Sequence, residues 1–339
     1  MTRDTRTPRT TRRVARTAVA AAATLALAGC AAPLPEPAPE PAGAVPPPAV
    51  SVDQTQRVLA SLGDVLTHAD ATKDPAGLPD RLVGPALATR TAEYVWANAT
   101  GGARQPTALP LDEQALVVPE TATWPRTQLV VSEQPDDLQA PRVLVLQQAS
   151  PREPYKLWGW ARLLQGVQMP PTAAPEEGSP ELPADAEGLV VPPAEVGARY
   201  ADVLTNGDAS EHAPTFALDS FRAAVEKARA DTTAALQDAA TLAETYVAAD
   251  APVVTLGTVD GGALVVTEMT TTSTVSVTSA GGTIAIEPFY AALAGTTSAG
   301  TSFSRVFTDV LVVYVPPADS GAQAQVLAAE HTVTSASAQ

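Results

Sequence analysis

Apolar residues recur at helical spacing in two stretches of the chain. Val58, Leu59, Leu62, Val65 and Leu66 form one stripe, and Val196, Tyr200, Val203 and Leu204 form another, at intervals of three, four and seven. Each stripe runs into a related nonapeptide. Residues 64–72 read DVLTHADAT and residues 202–210 read DVLTNGDAS, identical at six of nine positions and 138 positions apart. A polar residue or glycine followed by Asp closes each helix, and a second helical stretch is predicted after it, over about 80–98 and 217–248. The pattern then turns to strands. In the first block these are 128–132, 142–148 and 156–164, parted by Pro135-Asp136-Asp137 and by Pro151-Arg152-Glu153-Pro154. In the second they are 253–259, 264–278, 305–315 and 323–334, with Asp260-Gly261-Gly262 as a hairpin turn and a further turn over 316–321. Helices followed by long antiparallel strands define an α+β class in which helices pack on curved antiparallel sheets. The repeated order makes the second block a duplicate of the first.

Proline distribution divides the chain further. Residues 31–49 hold eight prolines and two glutamates and read as an extended stalk, about 3.1 Å per residue where the conformation is polyproline-like. Residues 170–193 hold seven prolines, five acids and no base. They are expected to separate two domains, 50–169 and 195–337, across a linker at 170–194.

The 339 residues contain a single cysteine, Cys30. It is preceded by six arginines (3, 6, 9, 12, 13 and 16) against one acid, and then by an uncharged stretch, TAVAAAATLALA, over 17–28. That stretch is too short to span a bilayer and has the length of an export-signal core. It ends in Leu27-Ala28-Gly29-Cys30, which resembles the lipobox of bacterial lipoproteins. The resemblance implies cleavage of residues 1–29 and lipidation of Cys30, which would hold the protein on the outer face of the cytoplasmic membrane. Two or three acyl chains anchor stably where one binds marginally. Arg12-Arg13 resembles a twin-arginine signal, although Ala15 and Arg16 stand where that motif carries bulky apolar residues, so the export route stays open.

Charge supports the same address. The formal net charge is −16, and removing the leader leaves 15 basic against 36 acidic residues, a net −21. Most of the excess lies in the second block, which carries 16 acids and 5 bases over 195–339. Such a balance excludes nucleic acid as a partner and leaves attachment to the lipid on Cys30.

Two resemblances follow from these motifs. The order of elements, with a short amphipathic helix closing before further helix, resembles the NTF2-like (cystatin-like) cone, and implies two tandem copies of it. The segment 155–170, YKLWGWARLLQGVQMP, resembles one found in uncharacterised actinobacterial lipoproteins, which implies placement in the cell envelope and supplies no catalytic residues.

Motifs that carry chemistry are scarce. His68, His212 and His331 have no zinc-site spacing, and the chain lacks a calcium loop, a phosphate-binding glycine motif and a nucleophile elbow. No cofactor, metal or catalytic set is therefore assigned. The NTF2-like resemblance implies an acid with a Tyr or His inside the cone, for which the adjacent pairs are His68 with Asp70, Glu93 with Tyr94, and Glu211 with His212. Trp158 and Trp160 are two apart, so a regular strand places them on one face, either filling the core or presenting a ligand-stacking surface. Phe303, Phe307 and Tyr314 are assigned mainly to the core. The leading expectation is a lipid-anchored, non-enzymatic binding or scaffold module for an envelope protein or cell-wall glycan. The alternative is an extracytoplasmic isomerase or dehydratase using an acid in a cone.

Overall fold

The computed structural model describes residues 46–134 and 139–339. The leader, Cys30, most of the Pro-rich segment and the turn at 135–137 lie outside the described residues. From Val45 onward the chain forms one compact unit.

Helix α1 (Val52–Thr72) begins where Ser51 and Gln54 cap each other reciprocally, each side chain bonded to the other's backbone N–H. Its buried face is Thr55, Leu59, Leu62, Leu66 and Ala69, the helical stripe of the sequence extended by a turn at each end. A short 3-10 turn, Pro75–Asp80, leads into α2 (Gly84–Ala99), which starts on Pro85. Strands β1 (Glu113–Val117), β3 (Arg126–Ser132), β4 (Arg142–Gln148) and β5 (Lys156–Leu163) then form an antiparallel meander, with a short β2 (Pro119–Glu120) between the first two.

The second half repeats this order. Helix α3 (Val196–Asn206) and helix α4 (Ser220–Leu236) precede β7 (Ala240–Ala248), β8 (Val254–Gly257), β9 (Ala263–Val277), β12 (Ser302–Val315) and β13 (Gln325–Ala338). Both β7 and β8 lie along one side of β9, and β12 lies along the other. A short excursion between β9 and β12 carries β10 (Ile284–Ala285), helix α5 (Pro288–Ala294) and β11 (Ser298–Ala299). The expected helix over 217–248 is corrected: α4 stops at Leu236, Gln237 takes a positive φ of 48°, and 240–248 is strand. The Ala-rich composition favours helix, but burial alternates residue by residue through β7, the period of a half-buried strand.

The two halves share a single nine-stranded sheet in the order β1-β3-β4-β5-β13-β12-β9-β7, with β8 also on β9. They join through their last strands, Leu163 opposite Ala328 and Arg162 opposite Ala329, with Leu164 N–H donating to Leu327 O at 2.8 Å. Alternation along the strands shows how the sheet folds over. Leu129, Val131, Val143 and Val145 from the first half share one apolar cluster with Leu256, Leu264, Val266, Val310 and Val312 from the second. The intervening residues point the other way: Val130, Leu144 and Leu146 pack with α1 and α2, while Ala263, Val265, Leu311 and Val313 pack with α3 and α4. The layers are thus helices, half-sheet, half-sheet, helices.

This arrangement also uses the Pro- and acid-rich segment expected to link two domains. Within 170–194, β6 (Ser179–Pro180) pairs in parallel with β2, Glu181 bridges to Leu256, and Leu189 bridges to Pro317. Ser179 and Val191 are fully buried. The prolines here remove backbone donors while the remaining backbone groups stitch both halves.

Candidate functional site

The aromatic strand β5 differs from the regular strand expected of it. Val145 faces Gly159 and Leu146 faces Leu157, so Trp158 is an extra residue in a β-bulge. The bulge reverses the parity. Trp160 packs with Leu157, Tyr94 and Leu62 under the helices, whereas Trp158 packs with Ala161 and Val310 between the half-sheets. The expectation that Trp158 and Trp160 share a face is therefore corrected. Both are buried, at 8% and 1% exposure, and neither lines the two recesses described below.

The acid pairs are also re-sorted. Asp70 accepts from the Tyr94 hydroxyl at 2.6 Å, and Glu93 pairs with Arg90 at 2.9 Å. Arg90 is fully buried, donates to Thr107 O at 2.8 Å and lies over the Trp160 ring at 5.4 Å. Burial pushes the Glu93 carboxyl above its ordinary range, with Arg90 pulling the other way. Burial and Asp70 together raise the Tyr94 hydroxyl strongly. The repeated nonapeptide has a shared structural use here. Its aspartate meets an arginine of the next helix in both halves, Asp70 to Arg90 Nε at 3.8 Å and Asp208 to Arg222 at 2.6 Å. His68 is exposed, and the backbone N–H of His212 donates to the Ser210 hydroxyl at 3.0 Å.

Two recesses hold functional groups. The first is in the second half, about 370 Å³ between α4 and β13, lined by Arg162, Ser220, Phe221 and His331 among others. Asp309 and His331 stand directly opposite each other on β12 and β13, which brings His331 Nδ1 to 2.5 Å from Asp309 Oδ1. Asp309 is fully buried and also accepts from the Thr271 hydroxyl at 2.5 Å. The imidazole stacks on Phe307 at 4.0 Å and meets the Phe221 ring edge-on. This is an oriented histidine with one nitrogen committed to a buried carboxylate, an arrangement suited to proton transfer or to structural pairing. Sequence reasoning missed the pair because 22 residues separate its members; only the strand register unites them.

The second recess is in the first half, about 510 Å³, where residues 49–50 enter α1 beside the ends of β3, β4 and β5. Arg57 and Ser61 reach it from α1, Arg81 from the turn before α2, and Trp124 and Arg126 from the start of β3. The Arg126 guanidinium lies over the Trp124 ring at 4.0 Å and donates to Ala49 O at 3.2 Å. Tyr155 forms the inner wall. It is 8% exposed, and its hydroxyl has no hydrogen-bond partner. Burial pushes that hydroxyl up to about 12, with Arg126 opposing the shift. Among the described residues, no group of three or more His, Cys, Asp or Glu is placed to hold a metal ion.

Fold and recesses together define a four-layer α+β body with one recess lined by three arginines and another lined by His331, whose partner Asp309 is buried behind it. Residues 46–338 match a family model described as Domain of unknown function (DUF8094), and the chain belongs to that family. No curated protein and no solved structure matches the chain.

Proposed function

We propose that the protein is a lipid-anchored, non-enzymatic binding module of the bacterial cell envelope, held through Cys30 on the outer face of the cytoplasmic membrane and binding its ligand in the Tyr155 recess. The observation that carries the binding half of this reading is Tyr155 itself. A tyrosine hydroxyl this deeply placed ordinarily finds a partner, and leaving one unsatisfied costs about 1–3 kcal/mol. Tyr155 lines an open recess of about 510 Å³, and its hydroxyl, shielded from solvent behind the recess wall, is satisfied by a ligand only where that wall shifts to admit it. The address rests on the basic leader, the apolar stretch and Leu27-Ala28-Gly29-Cys30. Two tandem NTF2-like units, derived from one by duplication and joined by their last strands, account for the repeated element order, and the 155–170 segment fits an actinobacterial lipoprotein.

The test has two arms. Membrane fractionation should find the full chain processed and membrane-bound, and Cys30→Ser unprocessed by lipoprotein peptidase; identical processing and attachment in both contradicts the anchor. Native mass spectrometry of the detergent-extracted chain should show a bound mass that Ser61→Trp, which fills the recess, removes. A mass retained in that variant places the ligand elsewhere.

A second reading, an isomerase- or dehydratase-type enzyme, is favoured by His331, which lines its recess while bonded to the buried Asp309. It requires that His331→Ala and Asp309→Asn abolish turnover while leaving occupancy of the Tyr155 recess intact.

A further inference from the structure

The three arginines of the Tyr155 recess stand out against the composition of the chain. The protein carries 37 acids and 21 Lys plus Arg, yet this recess is lined by Arg57, Arg81 and Arg126 and by no carboxylate. Five arginines elsewhere are matched by acids, Arg90 with Glu93, Arg142 with Glu330, Arg199 with Glu195, Arg222 with Asp208 and Glu226, Arg229 with Glu244, whereas Arg305 bonds hydroxyls and Arg104 lies over aromatic rings. What distinguishes the recess is that three arginines converge on it. Among the described residues, the Arg57 and Arg81 side chains have no ion pair and no hydrogen bond. Arg126 bonds only backbone carbonyls, Ala49 O and Thr123 O. Three arginines therefore converge on one recess of an acidic protein with no carboxylate among the lining residues.

The donors also select a type of anion. Guanidinium groups present planar, paired N–H donors that fit phosphate or carboxylate oxygens. A carboxylate has two oxygens, which one or two arginines saturate. Three arginines suit a group with three or four oxygens and up to two charges. We infer that the Tyr155 recess binds the phosphoryl group of its ligand through Arg57, Arg81 and Arg126, against the inner wall formed by Tyr155. The half-exposed Trp124 face, already covered on one side by Arg126, lies at the rim. A phosphorylated small molecule and an anionic phospholipid headgroup share this chemistry. The inference rests on the reading of this recess as the binding site.

The experiment uses the full chain carrying Cys30→Ser, with Arg57→Gln, Arg81→Gln and, on α4 of the other half, Lys227→Gln as control. Arg57 is exposed on α1 and its loss leaves no buried partner, so the variant tests binding rather than folding. Calorimetric titrations use inorganic phosphate, glycerol 3-phosphate and neutral N-acetylglucosamine, and co-flotation uses vesicles of phosphatidylglycerol or phosphatidylcholine. The expected result is binding of a phosphoryl probe, weakened at least tenfold by either arginine variant, about 1.4 kcal/mol, and unchanged in Lys227→Gln. Binding should also weaken with added salt. Free phosphate or glycerol 3-phosphate binding assigns a soluble ligand; arginine-dependent flotation on phosphatidylglycerol alone assigns a headgroup. Binding unaffected by both arginine variants, or no binding of any phosphoryl probe, overturns the inference. N-acetylglucosamine binding that Ser61→Trp abolishes, without phosphoryl binding, overturns the phosphoryl assignment and leaves the binding reading standing. An empty recess in the membrane-extracted chain overturns both.

Discussion

Replacing Arg90 by methionine isolates the energetics of the polar network beneath α1 and α2. The guanidinium and the Glu93 carboxyl are 1% and 4% exposed, and Arg90 Nη1 serves both Glu93 Oε2 and Thr107 O. Methionine keeps the packing on Trp160 approximately and leaves an unpaired buried acid. Breaking one partner of such a pair costs about 3–5 kcal/mol, because the remaining charge loses its compensation while staying desolvated. At about 2 °C per kcal/mol for a unit of this size, Tm should fall by roughly 6–10 °C. The deficit should depend on pH with a definite sign. Burial already raises the Glu93 carboxyl above 4.5 with Arg90 opposing, so removing Arg90 raises it further. An acid whose folded pKa is raised binds its proton more tightly in the native state, so native stability is lost as pH rises through the interval between 4.5 and the folded value. In Arg90→Met that interval extends upward, and urea titrations should give a smaller deficit at pH 5 than at pH 7. Adding Glu93→Gln should recover part of the loss at pH 7. A deficit below about 1 kcal/mol, or one equal at both pH values, would refute the account of the network.

Three further outcomes are expected. Because Val145 and Leu256 share one apolar cluster across the two half-sheets, Val145→Ala and Leu256→Ala should each lower a single common unfolding transition by about 1–5 kcal/mol; two transitions shifting separately would show independent halves. A side chain at Gly262 would meet Tyr314 Cε2 at 2.7 Å and Val315 O at 2.9 Å, so Gly262→Ala should cost about 1–3 kcal/mol in thermal melts, against little change for the exposed Gly300. Asp309→Asn alters the buried partner of His331 and should destabilise by about 1–3 kcal/mol in urea titrations, with a shift of the His331 ring resonances; unchanged resonances contradict the pairing.

How much was legible in the sequence varied with the physics involved. Strands bounded by Pro and Gly turns were placed to within a few residues, since turn chemistry and period-two alternation are local; Asp260-Gly261-Gly262 does close the β8–β9 hairpin, with Gly261 at φ 84°. The strand at 240–248 was hidden by alanine, whose helical propensity agrees with the wrong element, and β1 was missed because its first half is exposed and unpatterned. The joining of the halves was not readable from faces alone, because alternation says which side is apolar and not what covers it. One signal was present: β3 is buried on both faces, as a strand sandwiched between helices and another sheet must be. The bulge at Trp158 inverted the aromatic pair, since one inserted residue flips every later position. The arginines of the recess come from three separate elements without a motif, and only their convergence on one recess without a lining carboxylate marks them.

The central claim is that the Tyr155 recess is a ligand site. Its most direct test is a high-resolution crystal structure of the lipidated chain purified from its own membrane without phosphate in any buffer. The account expects non-protein density in the recess within hydrogen-bond distance of Tyr155 Oη and in contact with Arg57 or Arg81. Ordered water alone there, with the two arginines turned to solvent, would contradict it.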